Sequence, residues 1–405
     1  MATRRDHGDG GIDQRGPDQW RLRWRVDGKR HSKAFHGSKR AAQTELRRLI
    51  KSADDGVHVA PDKMTVGAWI GQWIILQGRL SPDPDASAHR RRGLVNQRTL
   101  ERYEELLRLH VVPALGGRPL QMLRPTDIDA LYANLERRLS PRTVHHVHTV
   151  LGACLNAAVR KGYIVSSPVA RAEPPSPADS ETGRVLDDSE LAALMAGFRG
   201  LALYPIVAIA AFTGARRNEI LALRWSDLNM EAKTLTIARA LEETKAFGLR
   251  YKEPKTRRGI RTIVIDESLL NLLSRERDRY LRIMAGIADN ERADLSLLKI
   301  KLPAEALIFP SPAELDFTRP RNPRSVTKEF ARCAAKLGFP GLRFHDLRGT
   351  HETLLLDAGV AVHVVAARCG HDPAILLRNY AKRTRKADTS AAAVITELAK
   401  NLLGR

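Results

Sequence analysis

Cysteine is scarce. The three that the 405 residues contain, Cys154, Cys333 and Cys369, lie too far apart for a disulfide framework or a zinc-ligand spacing. A reducing cytosol is the expected compartment, and each thiol is expected to pack as a small apolar group. Long apolar runs are missing too: the best, Leu201 to Phe212, is short of a membrane span and reads as a buried helix. The opening Met1 to Gly16 is rich in Gly, Arg and Asp and lacks the apolar centre of a signal peptide, so residues 1–11 read as a flexible leader. Acidic residues are the remaining shortage. Against 67 Lys and Arg stand 46 Asp and Glu, a formal charge of +21 that asks for a polyanionic partner, nucleic acid first. A membrane surface is disfavoured, since the basic residues are spread along the chain and not collected on one amphipathic helix.

What is present supports several cores: 43% of residues are apolar, and the length calls for two or three domains. In QWRLRWRV, Trp20, Leu22, Trp24 and Val26 alternate with Arg21, Arg23 and Arg25, the period of a half-buried strand. DGKR then signals a hairpin, HSKAFHG the returning strand, and SKRAAQTELRRLIKSA a helix capped by Ser38. The spacing predicts a small ββα or βββα unit over 12–55. Its three arginines in line read either as a solvated face or, preferred because they repel without an anion, as a DNA-contacting face. Helical patterns follow over 64–172, interrupted by a basic stretch at 81–97 that contains Arg90, Arg91 and Arg92. That stretch is either an insert without structure of its own or an additional DNA contact. Residues 173–184 have the Pro/Ser composition of a linker. Helices resume beyond it, with a β-hairpin expected from TLTIARA and RTIVID. The fold class is therefore multidomain and mainly α: a small N-terminal sheet-plus-helix unit, a helical bundle, and a mixed α+β domain over 185–390.

The last domain carries a constellation that packing alone does not explain. TGARRNEI gives Arg216 and Glu219 one helical turn apart, and KEPKT gives Lys255 beside a strand. RFHDLRGTH gives His345 and Arg348 on one helix face, and CGHDPAILLRNY gives His371 followed nine residues later by Tyr380. Alone, either histidine reads as a core residue, and Lys255 reads as part of a phosphate-tracking patch with Lys252, Arg257 and Arg258. Arg216 precedes Ile220 and Leu223 by four and seven residues and so continues the buried stripe, near a helix N-terminus that favours a phosphate. Arg217 lines up with Leu221 and Arg224 and reads as a surface or DNA-backbone contact. HHVHTV invites a metal reading, but no carboxylate or cysteine stands close by. A DNA-facing helix bearing His145 and His148 is the preferred reading.

The ordered set T-G-x-R-x-x-E, a lysine by a hairpin, H-x-x-R, G-H and a tyrosine nine residues on resembles the tyrosine recombinases of the phage-integrase family. RTLERYEELLRLHVVPALGGRPLQMLRPTDIDAL resembles their core-type DNA-binding domain, and Trp20 to Ala53 their arm-type domain. The resemblance implies that Arg216 and Arg348 clamp a phosphate, with His345 and His371 as further donors or proton relays. It also implies Lys255 as general acid, Tyr380 as nucleophile, and Glu219 as the carboxylate that orients Arg216. It implies a 3′-phosphotyrosyl intermediate that needs no metal or other cofactor, double-stranded attachment sites, and a homotetramer working through a Holliday junction in the nucleoid of a bacterial cytoplasm. A host DNA-bending protein and an excisionase are implied partners. Residues 391–405 read as a helix that either caps its own domain or packs on a neighbouring protomer. The sequence departs from the pattern at Gly349, where histidine is frequent, at HDP in place of His-Ser-Ser, and at Cys369, where leucine is common. Neither of the first two removes a reacting group. The alternatives are a type IB topoisomerase, a transposon or plasmid resolution enzyme, and a DNA-binding protein without catalysis.

Overall fold

The alternating stretch becomes the middle strand of a three-stranded antiparallel sheet, ordered β1 (Gly11–Gly16), β2 (Gln19–Val26), β3 (Lys29–His36). The sheet comes from a computed structural model that describes residues 10–26, 28–54, 62–79, 95–175, 183–253, 259–288, 291–297, 301–313 and 316–381. Leu22 and Trp24 point inward onto Ala42 and Leu46 of α1 (Lys39–Asp54), while Arg21, Arg23 and Arg25 face outward. Ser38 caps α1, its Oγ accepting from the Ala41 N–H at 3.3 Å. Arg23 pairs with Asp13 across the strands at 2.8 Å, so one of the three outward charges is already partly balanced. Most of the 81–97 stretch, with Arg90, Arg91 and Arg92, lies outside the described residues, as do residues 1–9, 176–182 and 391–405.

The chain divides into two units, Met1–Ser180 and Glu181–Arg405. The first also contains a helical bundle: α2 (Val66–Arg79), α3 (Gln97–Leu106), α4 (Val112–Leu115), α5 (Pro125–Glu136) and α6 (Pro141–Arg160). Leu107–Val111 joins α3 to α4 as a wider π turn. It sits just before Pro113, whose ring and missing N–H do not fit a regular ladder. Asn96 caps α3 and Ser140 caps α6, in the latter with Pro141 at the first helical position. Trp69 shares the bundle core with Leu107, Ile128, Val147 and Leu151, its ring lies 4.9 Å from that of Tyr163, and its indole N–H donates to the Cys154 carbonyl at 3.0 Å.

The second unit is built round α8 (Tyr204–Thr213), which is apolar on every face and packs against α7 (Asp188–Phe198), α10 (Glu267–Ala285) and α12 (Asp346–Asp357). Short α9 (Arg217–Ile220) follows α8; α11 (Pro323–Lys336) precedes α12, and α13 (Val362–Cys369) and α14 (Pro373–Ala381) come after it. The expected strand pair is real but is not a simple hairpin. In a sheet ordered β4 (Leu228–Asn229), β5 (Thr234–Ile237), β8 (Arg261–Val264), Leu235 pairs with Ile263. A separate ribbon of β6 (Ala240–Thr244) and β7 (Gly248–Lys252) occupies the connection. No helix among the described residues is long and apolar enough to cross a membrane.

Trp69 is 1% exposed, so truncation removes both its packing and the partner of the Cys154 carbonyl. Trp69→Ala is expected to destabilise the bundle by about 3–5 kcal/mol. Urea unfolding of the full chain, followed through the bundle's helical signal, checks this, and a loss below about 1 kcal/mol contradicts the assigned core.

Candidate active site

α8 ends in a sharp reversal. Gly214 closes it in the left-handed region at φ 63°, and a Cβ there would stand 2.7 Å from His351 Cδ2 and 2.9 Å from Cys369 Sγ. Only glycine fits both the dihedral and the space. The reversal sends Arg216 out in an extended conformation as the N-cap of α9. Its backbone N–H donates to Glu219 Oε2 and its Nη1 to Glu219 Oε1, each at 2.8 Å, and Nη2 donates to the Gly370 carbonyl at 3.2 Å.

Glu219 is nearly fully buried and holds a second arginine. Arg261, at the start of β8, donates through Nη2 to Glu219 Oε2 at 2.8 Å and through Nε to the Arg368 carbonyl at 2.7 Å. Burial alone would raise the pKa of Glu219; the bonds and charges of Arg261 and Arg216 outweigh it and hold the carboxyl below its ordinary range.

Arg348 lies in the first turn of α12 with 2% of its surface exposed. Nη1 donates to the Gly214 carbonyl at 2.6 Å and Nη2 to the Cys369 carbonyl at 2.5 Å. Nε lies 3.0 Å from Glu352 Oε1 and 3.2 Å from His371 Nε2. A guanidinium has five N–H groups, so these contacts leave one N–H on each terminal nitrogen. His371 follows Gly370, the left-handed cap of α13, and its Nε2 stands 2.8 Å from Glu352 Oε1. His345 caps the start of α12; desolvation first, then the charge of Arg348, lowers its pKa, which favours a neutral ring at pH 7. Tyr380 is on α14, half-buried, its hydroxyl donating to Asp357 Oδ1 at 2.8 Å.

The structure thus joins Arg216, Glu219, Arg348 and His371 in one bonded cluster, with His345 within reach of the charges on Arg348 and Arg216. Lys255 and Arg257 lie outside the described residues. The neighbouring Lys252 is bound to Glu242 Oε1 at 2.6 Å. Arg217 is half-buried and bonded to Thr327 on α11 and to Asn218 at 3.0 Å. On α6, the His145 and His148 rings stack 6.0 Å apart, and His148 Nδ1 bonds the Tyr132 hydroxyl at 2.9 Å. Among the described residues no His, Cys, Asp and Glu gather in a group able to hold a metal ion.

Three buried polar residues escaped the sequence reading. Arg261 shares the inward face of β8 with Ile263, so the period of two already placed a charge inside. Glu352 stands four residues after Arg348 on one helix, the spacing of an ion pair. His351 packs beneath Gly214, donating from Nδ1 to the Ala211 carbonyl at 2.9 Å while Nε2 accepts from Arg368 Nε at 3.3 Å.

Residues 184–386 match the model of the phage integrase family, and residues 86–174 match that of the phage integrase central domain. An integrase of Streptomyces ambofaciens is 25% identical, covering 99% of both chains. A XerC-like tyrosine recombinase of Caldanaerobacter subterraneus subsp. tengcongensis is 24% identical over 92% of this chain and 93% of the relative. Among solved structures, the Tn1549 transposon integrase in complex with transposon right end DNA superposes with a TM-score of 0.64 at 20% identity. That match covers 83% of this chain and 100% of the other. A lambda integrase tetramer bound to a Holliday junction gives 0.56 at 16% identity, covering 95% and 99%.

The buried His351 makes stability depend on acid. Burial, then the charge of Arg368, lowers its pKa from 6.5 to about 4. The unfolded chain therefore binds this proton first. The contribution is complete above about pH 6.5 and is lost as pH falls from there through about 4, a loss on the order of 3 kcal/mol. His351→Phe is expected to flatten the fall in unfolding midpoint over that window; an unchanged slope would show that other groups carry it.

Proposed function

This chain belongs to the phage integrase family, and from that premise we propose the part that each residue plays in its chemistry. The protein is a tyrosine-type site-specific DNA recombinase, which breaks and rejoins DNA strands. The observation that carries the assignment of roles is the pair Arg216 and Arg348. They come from separate elements, each is tethered to a backbone carbonyl and a carboxylate, and Arg348 has an N–H to spare on each terminal nitrogen. Two such cations suit the non-bridging oxygens of a phosphodiester, whose charge grows in the transition state.

In the proposed reaction the hydroxyl oxygen of Tyr380 attacks phosphorus and gives up its proton through the His345 or His371 relay. The bond to the 5′ oxygen breaks, Lys255 protonates that oxygen, and a 3′-phosphotyrosyl link remains. Attack by the 5′ hydroxyl of another strand reverses the step, so the bond energy is kept and neither ATP nor a metal is consumed. A tyrosine hydroxyl with an ordinary pKa of about 10 needs an electropositive pocket to react near neutrality. His345 and His371 supply further donors or relays, and Glu219 holds Arg216 in place. Each fixed donor of this kind is worth about 3–4 kcal/mol of barrier.

The remaining units grip the duplex. Residues 12–55 would take an arm-type site through the Arg21, Arg23 and Arg25 face, and 64–172 a core-type site, with His145 and His148 on a DNA-facing helix. Arg90, Arg91, Arg92, Arg217 and Arg257 would add backbone contacts, and 185–390 would form the catalytic domain. Tethering two DNA-binding units makes the second contact intramolecular, which raises avidity. The assembly proposed is a tetramer on two attachment sites in the nucleoid of its host's cytoplasm, with residues 391–405 reaching a neighbouring protomer. It exchanges strands in pairs through a Holliday junction, assisted by a host DNA-bending protein and an excisionase. The lambda integrase tetramer on such a junction supports the assembly by its shared fold.

A nicked suicide substrate tests the roles by trapping the covalent adduct. Wild-type protein is expected to form it and Tyr380→Phe to bind DNA without forming it. Arg216→Ala should lower adduct formation by about a hundred- to a thousandfold, whereas Arg217→Ala, anchored on Thr327, should only weaken it. Equal losses in the two arginine variants would refute their division. No wild-type adduct where DNA binds would favour a DNA-binding protein without catalysis, and plasmid relaxation without recombinant product would favour a topoisomerase.

A further inference from the structure

Each arginine of the clamp has its own buried carboxylate. Arg216 has Glu219, three residues on; Arg348 has Glu352, four residues on, and Glu352 is 3% exposed. Glu219 belongs to the motif that identifies the site. Glu352 does not, and no part of the reaction proposed above uses it. A buried carboxylate is costly unless cations and donors surround it. Here a single oxygen, Oε1, stands 3.0 Å from Arg348 Nε and 2.8 Å from His371 Nε2.

The three groups form one triangle. Arg348 Nε donates to His371 Nε2 at 3.2 Å, and Glu352 Oε1 stands within ion-pair distance of both nitrogens. The buried carboxylate balances the charge of the guanidinium and draws it towards the ring, so the bond from Arg348 to His371 forms beside a fixed anion. The remaining N–H groups of Arg348, one on each terminal nitrogen, then keep a constant direction.

We infer that Glu352 is a positioning residue for strand cleavage: its buried carboxylate, within ion-pair distance of both, holds Arg348 against His371. It never touches DNA. The inference rests on the reading of Arg348 and His371 as phosphate-binding groups, so its experiment must fail separately from that reading.

Single-turnover cleavage of the suicide substrate by the full chain separates them. Adduct formation by wild-type protein and its absence in Tyr380→Phe establish the underlying reading independently. Given those, Glu352→Gln is expected to slow cleavage about ten- to a hundredfold, the usual effect of losing a group that orients a ligand. DNA affinity should be unchanged or tighter, since a negative charge is removed. In a His371→Ala background the same substitution should cost only a few-fold, because much of what Glu352 positions is already gone. A cleavage rate equal to wild type overturns the inference. So does an equal loss with and without His371, or a fall in DNA affinity that matches the fall in rate. The unfolding midpoint of each variant is measured alongside. Should Glu352→Gln fail to fold, Glu352→Asp, which keeps the charge one methylene short of His371, enters the same cycle with the same expectations.

Discussion

The constraint on which the second unit depends is the burial of the Arg348 guanidinium. A cation taken out of water needs partners in fixed directions, and helix ends supply them. The last carbonyls of a helix have no intrahelical donor and sit at the negative end of its dipole. α8 and α13 both end in left-handed glycines, Gly214 and Gly370. Gly214 and Cys369 give their carbonyls to Arg348, and Gly370 gives its carbonyl to Arg216. Two helix C-termini are satisfied by the two arginines, and two arginines are held by them. This explains why the segment around Thr213 to Arg216 must turn so tightly and why Gly214 tolerates no Cβ against His351 and Cys369.

The carboxylates complete the balance of charge. Arg216, Arg261 and Arg348 face Glu219 and Glu352, so these five side chains carry one net positive charge. A phosphodiester bound there would bring one negative charge and neutralise the group, and a transition state with more negative charge would meet donors already in place. Preorganisation of this sort avoids reorganisation during the reaction. Without the carboxylates, these three guanidiniums, two of them buried, would repel.

Much of the site was legible because its spacings are local. One helical turn joins Arg216 to Glu219 and His345 to Arg348, and nine residues separate His371 from Tyr380. The strand of the N-terminal sheet was equally plain, since Leu22 and Trp24 alternate with arginines that do face outward. What escaped depends on pairings distant in sequence. Arg217 read as a surface or DNA-backbone contact, and its partner Thr327 is 110 residues away. Glu352 meets His371 only because α13 folds back on α12. The β6–β7 ribbon was missed for another reason. Ala240 to Lys252 mixes charged and apolar residues without clean alternation, and Glu242 bonds Arg250 and Lys252 across the pair.

α12 links the clamp to the tyrosine. Its first turn carries Arg348 and its last residue is Asp357, whose carboxylate accepts from the Tyr380 hydroxyl at 2.8 Å. Nine residues of helix separate Arg348 from Asp357, about 13 Å at 1.5 Å per residue. A near-attack arrangement needs reacting atoms about 3–3.5 Å apart. For Tyr380 to act as nucleophile, its hydroxyl must exchange Asp357 for the phosphate. The exchange is between two acceptors of like charge, a carboxylate and a phosphodiester, so it costs little in hydrogen bonding. What separates the two is their surroundings: the phosphate would sit against Arg216 and Arg348, and the positive field there favours the ionised tyrosine that attack requires.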